Sequence, residues 1–120
     1  MQKRILIIED DPDILEMLNI IFAEEGFEVV LSPTGDESDQ LTAIKPDIVL
    51  LDIRIKNRGQ NGAAICTKIK SDFETHYLPV ILLSAEKDLA VIGKKCGADA
   101  VVSKPFDINH LTAKVKSLLS

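Results

Sequence analysis

The chain has 120 residues, a net charge of −5 and 46% hydrophobic residues. That length suits one domain, 1–120, with a proper buried core, and the apolar fraction excludes a disordered chain. The negative balance disfavours non-specific nucleic-acid binding and offers no basic stripe to a membrane surface. The first apolar stretch, Ile5–Ile8, is four residues long and ends in acids. It is too short for a signal peptide or a membrane span. Cys66 and Cys96 are far apart, with no C-x-x-C and no nearby His pair, and read as reduced, partly buried thiols rather than a disulfide or zinc site. His76 and His110 are equally isolated and read as surface or packing residues. These features together place the chain in the cytoplasm.

Short apolar runs alternate with helical patterns along the chain. Residues 4–9 predict a strand. A helix over 13–25 follows, with Ile14, Leu18, Ile21 and Phe22 on one face, Pro12 suited to its first turn and Gly26 past its end. A short strand over 28–31 leads to a polar, weakly amphipathic helix over 35–44, which Pro46 breaks. The third strand, 47–52, is fully apolar between its acids. Residues 53–61 form a loop of Arg, Lys, Asn and Gly without periodicity, before a helix near 62–71. A strand over 79–84, a helix over 87–96 ended by Gly97, and a strand over 99–103 complete the sheet. The last helix, 107–119, carries Ile108, Leu111, Val115, Leu118 and Leu119 at helical intervals, with Asp107 as its N-cap.

Five βα units without repeats, linkers or low-complexity tracts imply a parallel sheet with helices on both faces. The expected architecture is a flavodoxin-like (βα)5 three-layer sandwich with strand order 2-1-3-4-5. Ligands in such sheets collect at the carboxyl ends of the strands, where the order reverses between strands 1 and 3. The first strand delivers Glu9, Asp10 and Asp11 to that edge, and the third delivers Asp52. The fourth delivers Ser84, and the fifth leads to Lys104 and Pro105.

Carboxylates about 4 Å apart repel by roughly 4 kcal/mol at a protein-surface dielectric. Such a cluster calls for a hard divalent cation, most simply Mg²⁺. A Ser hydroxyl can donate to a phosphoryl or carboxylate oxygen, and a Lys offers the same anion a point charge. Asp52 is central enough to be a nucleophile that attacks phosphorus and forms an acyl phosphate. Each residue taken singly has a plainer reading. Asp13 reads as an acid of the first helical turn, and Asp11 stands open between that role and the pocket. Asp52 alone could end a strand, Ser84 could begin a helix, and Lys104 could be a surface lysine. At the ends of four adjacent strands, those plainer readings need a coincidence.

At this point the chain resembles a known family, the receiver domain of two-component response regulators. The resemblance spans essentially the whole chain. It rests on Ile5-Leu-Ile-Ile-Glu-Asp-Asp-Pro, Pro46-Asp-Ile-Val-Leu-Leu-Asp-Ile, Pro79-Val-Ile-Leu-Leu-Ser-Ala, and Gly97-Ala-Asp followed by Ser103-Lys-Pro-Phe. It implies that Asp52 accepts a phosphoryl group from a phosphohistidine of a sensor histidine kinase or phosphotransfer protein. It implies further that Asp10 binds Mg²⁺ directly, that Glu9 acts through water, and that the Arg54 backbone carbonyl completes the protein's share. Ser84 would hydrogen-bond the phosphoryl group, Lys104 would pair with it, and the Lys104–Pro105 bond would be cis. The partner surface would be the fourth helix, fifth strand and fifth helix. The downstream effector, or an output domain fused beyond Ser120, is unspecified. Direct nucleic-acid or membrane binding by this domain is not implied, nor is turnover of an external substrate beyond self-phosphorylation and slow self-dephosphorylation.

The sequence departs from the family pattern after Asp52. Arg54-Ile-Lys-Asn-Arg-Gly-Gln-Asn-Gly62 replaces a shorter turn containing Pro, and Lys56 stands in part of that turn. Val101 stands where the family often has Tyr or Phe. Val is short and stiff, so signalling either proceeds by backbone and loop shifts without an aromatic toggle or uses an unusual output face. A degenerate receiver that binds partners without phosphorylation is the nearest alternative, and the complete set of acids, Ser84 and Lys104 argues against it. A Mg²⁺-dependent hydrolase of the haloacid dehalogenase type would carry its Asp nucleophile on the first strand in an Asp-x-Asp pattern. A flavin carrier would present amides rather than Glu9-Asp10-Asp11 to its phosphate.

Overall fold

A computed structural model of the chain describes residues 2–54 and 62–120. The strands are β1 (Arg4–Ile8), β2 (Glu28–Ser32), β3 (Ile48–Asp52), β4 (Val80–Ser84) and β5 (Ala100–Ser103). The helices are α1 (Pro12–Glu24), α2 (Leu41–Ile44), α3 (Gly62–Ser71), α4 (Leu89–Cys96) and α5 (Ile108–Leu119). All strand pairs are parallel, in the order β2-β1-β3-β4-β5. The expected doubly wound architecture is the observed one.

Side chains alternate across a strand, so each apolar run feeds both faces of the sheet. Ile5, Ile7, Ile48, Leu50, Ile81 and Leu83 pack with Leu15, Leu18 and Phe22 of α1 and with Leu111 and Val115 of α5. Leu6, Ile8, Val49, Leu51, Val80 and Leu82 pack on the other face with Leu41, Ile65, Ile69, Leu89 and Cys96. β3 and β4 are buried along their whole length, which is why their sequences read as unbroken hydrophobic runs.

The helix termini follow the capping chemistry in the sequence. Pro12 opens α1, and the Asp11 carboxylate accepts from the N–H groups of Asp13 (2.9 Å) and Ile14 (3.3 Å). Asp107 caps α5 in the same way through Asn109 and His110. Gly97 ends α4 in the left-handed region at φ 81°, where a residue without Cβ is unstrained.

Two helices differ from expectation. The segment predicted as a helix over 35–44 is a 3₁₀ turn, Asp36–Gln40, followed by the single turn of α2. Asp36, Ser38 and Asp39 favour local side-chain hydrogen bonds over helix, and Lys45 before Pro46 leaves the helical region for φ 54°. α4 begins at Leu89 rather than at residue 87. Residues 55–61 of the loop expected over 53–61, with Lys56, lie outside the described residues. The two ends of that loop meet, because the Gly62 N–H donates to the Ile53 carbonyl at 2.6 Å.

Candidate functional site

The strand register places the polar residues together. Ile8 pairs with Leu51, so the residues that follow, Glu9 and Asp52, fall side by side. Asp52 pairs with Leu83 and Ser84 with Ser103, which brings Ser84 and Lys104 to the same edge. The Glu9 N–H donates to the Ser32 carbonyl at 3.2 Å, and the Lys104 N–H to the Ser84 carbonyl at 3.0 Å. Main-chain bonds therefore fix two of the site residues just past the ends of their strands. The Lys104–Pro105 peptide is cis.

Carboxylate oxygens of Glu9, Asp10 and Asp52 lie within 4.8 Å of one another. Glu9 is 1% and Asp52 5% exposed. The Lys104 ammonium bridges them, donating to Glu9 Oε1 at 3.0 Å and to Asp52 Oδ2 at 3.3 Å. Asp52 Oδ1 accepts from the Arg54 N–H at 3.3 Å. Burial, followed by the hydrogen bond and charge of Asp52, pushes the Glu9 carboxyl from its ordinary 4.5 to about 8. Burial works against the Lys104 charge, but the contacts with Glu9 and then Asp52 outweigh it and raise that pKa.

Across the pocket, the Ser84 hydroxyl accepts from the Glu86 N–H at 3.1 Å. The Glu86 carboxylate forms an ion pair with the Arg54 guanidinium. The resulting cavity, about 290 Å³, is lined by Asp52, Arg54, Ser84, Ala85, Glu86 and Lys104. Gly62 packs against the main chain of Asp52 and Ile53. A Cβ there would lie 2.1 Å from the Asp52 carbonyl oxygen, so only glycine lets α3 approach the end of β3 this closely.

Glu9, Asp10, Asp52, Ser84 and Lys104 thus converge as the sequence predicts, and Arg54 lines the same pocket. Asp11 does not join them, since its carboxylate caps α1. Val101 is partly buried, and its Cγ1 fills the space above Gly93, 2.5 Å from where a Cβ on that residue would sit. Glu86 and Gly62 escaped sequence reasoning. The place of Glu86, two residues beyond Ser84 on the same turn, was the available signal.

Glu9 Oε2 is buried with no hydrogen-bond partner among the described residues, beside two further carboxylates. An unpaired buried carboxylate oxygen is costly, and an all-oxygen donor set suits a hard cation such as Mg²⁺. The residues present fit that ion.

Fold and site together define a parallel α/β domain with an acid-and-lysine pocket at the topological switch point. A family model described as the response regulator receiver domain matches residues 5–116. The chain is 39% identical over 124 aligned residues to the DNA-binding response regulator MtrA of Mycolicibacterium smegmatis, covering 99% of this chain and 51% of that protein. The chain spans about half the length of the curated relatives it matches. A putative response regulator from Chloroflexus aurantiacus superposes with a TM-score of 0.90 at 29% identity, covering 99% and 98% of the two chains. The signal receiver domain of a histidine kinase from Syntrophus aciditrophicus gives 0.87 at 32% identity, covering 98% and 89%. The chain belongs to the response regulator receiver domain family of two-component signalling. No helix among the described residues is long and apolar enough to cross a membrane.

Proposed function

We propose that the chain, 1–120, acts as a cytoplasmic phospho-accepting switch. Asp52 takes a phosphoryl group from the phosphohistidine of a sensor histidine kinase or phosphotransfer protein, and Ser84 and Lys104 relay the change. The observation that carries this reading is a recessed carboxylate 3.3 Å from an ammonium, flanked by two acids and facing a hydroxyl across an open cavity. Glu9, Asp10, Asp52 and the Arg54 carbonyl would hold Mg²⁺, which when bound neutralises charge on carboxylate and phosphoryl oxygens.

The Asp52 carboxylate attacks phosphorus. The P–N bond to the donor imidazole breaks, and its electron pair leaves with the nitrogen. Lys104 already sits beside Asp52 and offers its charge to the phosphoryl oxygens. The Ser84 hydroxyl, now accepting from the Glu86 N–H, turns to donate to the same oxygens. That turn releases the start of the β4–α4 connection and biases a two-state equilibrium across α4, β5 and α5, the partner surface.

The donor is a protein in this reading, because Asp52 is recessed and the ground beside it is apolar. A hollow of about 500 Å³ lined by Ile14, Met17, Phe106 and Ile108 shares Ala85 and Lys104 with the acceptor cavity. A donor seated there has its phosphohistidine next to Asp52. Titration with Mg²⁺ and beryllofluoride, a phosphoryl mimic, tests the switch by NMR. The expected result is amide shifts at Ser84 and along α4. An unchanged spectrum would favour a degenerate domain that binds partners without phosphorylation.

A further inference from the structure

α3 and α4 lie on the same face of the sheet, and a cysteine from each meets at their contact. Cys66 is fully buried and Cys96, the last residue of α4, is 5% exposed. The Cys66 thiol donates to the Cys96 carbonyl at 3.5 Å, and both cysteines belong to the buried apolar cluster on that face of the sheet. Cys96 in turn donates to the Gly93 carbonyl at 3.6 Å. The carbonyls of a last helical turn lack intrahelical partners, so Cys66 helps to close the end of α4. Burial pushes the Cys66 thiol up, and as packed it is a poor nucleophile. Phosphoryl transfer uses neither sulfur.

We propose that Cys66 and Cys96 form a redox pair, which a hydroperoxide converts into an intramolecular disulfide that staples α4 to α3. Cys96, nearer to solvent, loses its proton, and its thiolate attacks one peroxide oxygen. The O–O bond breaks, the departing oxygen leaves as water with that proton, and Cys96 carries a sulfenic acid. The Cys66 sulfur displaces hydroxide from it, the S–S bond forms, and hydroxide takes the Cys66 proton and leaves as a second water. Two thiols are oxidised by two electrons, and one hydrogen peroxide is reduced to two waters.

Both sulfurs are sealed in the packed state, so reaction proceeds from openings in which the end of α4 lifts from α3. The disulfide then holds that end down, while Val101 pins the middle of the helix at Gly93. Under the phosphorylation reading, on which this clause alone rests, oxidation keeps the switch in its packed arrangement.

The test uses the whole native chain, reduced, exposed to hydrogen peroxide, then alkylated in denaturant and weighed. The expected product is a monomer lighter by two hydrogens, with neither cysteine alkylated and a linked Cys66–Cys96 peptide. Cys96→Ser should abolish it. Two alkylatable thiols, or linkage only between molecules, would overturn the proposal. Amide exchange across α4 should slow several-fold after oxidation, and unchanged exchange would overturn the staple. Beryllofluoride shifts at α4 should shrink in the oxidised protein. Equal shifts before and after oxidation refute the coupling, whereas no shift in the reduced protein refutes the phosphorylation reading instead.

Discussion

Gly62→Ala is the sharpest structural perturbation of the acceptor site. The added methyl would lie 2.1 Å from the Asp52 carbonyl oxygen and 2.8 Å from the carbonyl carbon and from the Ile53 Cα. All three are main-chain atoms, so no side chain can rotate away and the end of β3 or the start of α3 must move. Overpacking of this kind costs roughly 1–3 kcal/mol of stability. The same movement shifts Asp52 relative to Lys104 and Glu9, and a displacement of about 1 Å at a reacting group can cost on the order of 100-fold in rate. Gly93→Ala is the natural comparison. Its methyl meets side-chain atoms alone, chiefly Val101 Cγ1 at 2.5 Å with Ala98 Cβ at 3.9 Å, and no atom of Asp52 is among its nearest neighbours. Urea unfolding and the rate of phosphate uptake from acetyl phosphate should therefore separate the two variants. Gly62→Ala loses both stability and rate, and Gly93→Ala loses stability with the rate nearly intact. Wild-type rate and stability for Gly62→Ala would refute the close-approach argument.

The remaining predictions concern charge and capping. Glu9 titrates from about 8 in the folded chain but from its ordinary 4.5 when unfolded. The metal-free folded state therefore binds more protons in that window, and stability falls as pH rises from about 4.5 to 8, by up to ~1.4 kcal/mol per pH unit. Urea midpoints of wild type and Glu9→Gln in chelator should diverge across that range; parallel curves would contradict the assignment. Asp11→Ala should cost about 1 kcal/mol through loss of the α1 cap and leave Mg²⁺ affinity near wild type, as read by midpoint and titration. Lys104→Ala should tighten Mg²⁺ binding in calorimetry, because the ammonium competing for Glu9 and Asp52 is gone, while uncoupling phosphorylation from the α4 amide shifts.

The sheet was legible because β1, β3 and β4 are buried on both faces, so burial wrote itself as unbroken apolar runs that end in acids or a hydroxyl. The pocket was legible for the same reason, since strand ends set where Glu9, Asp52 and Ser84 emerge. Residues 36–44 were less legible. Their helix depends on Leu41 reaching the core while Asp36 and Asp39 resist helix, and a weak amphipathic pattern does not report the balance. Asp13 was legible as an acid of the first turn, whereas Asp11 stayed open between cap and pocket, because capping is decided by the backbone angles of the residue that precedes the helix. The Arg54–Glu86 ion pair spans two connections and depends on the sheet having closed. Likewise, nothing in the spacing of Cys66 and Cys96 shows that α3 and α4 bring them together.

The most direct measurement is the intact mass of the chain after incubation with acetyl phosphate, with Mg²⁺ or with chelator. The account predicts one added phosphoryl group in the wild type with Mg²⁺, and almost none in chelator or in Asp52→Asn. Equal phosphorylation of Asp52→Asn would contradict it.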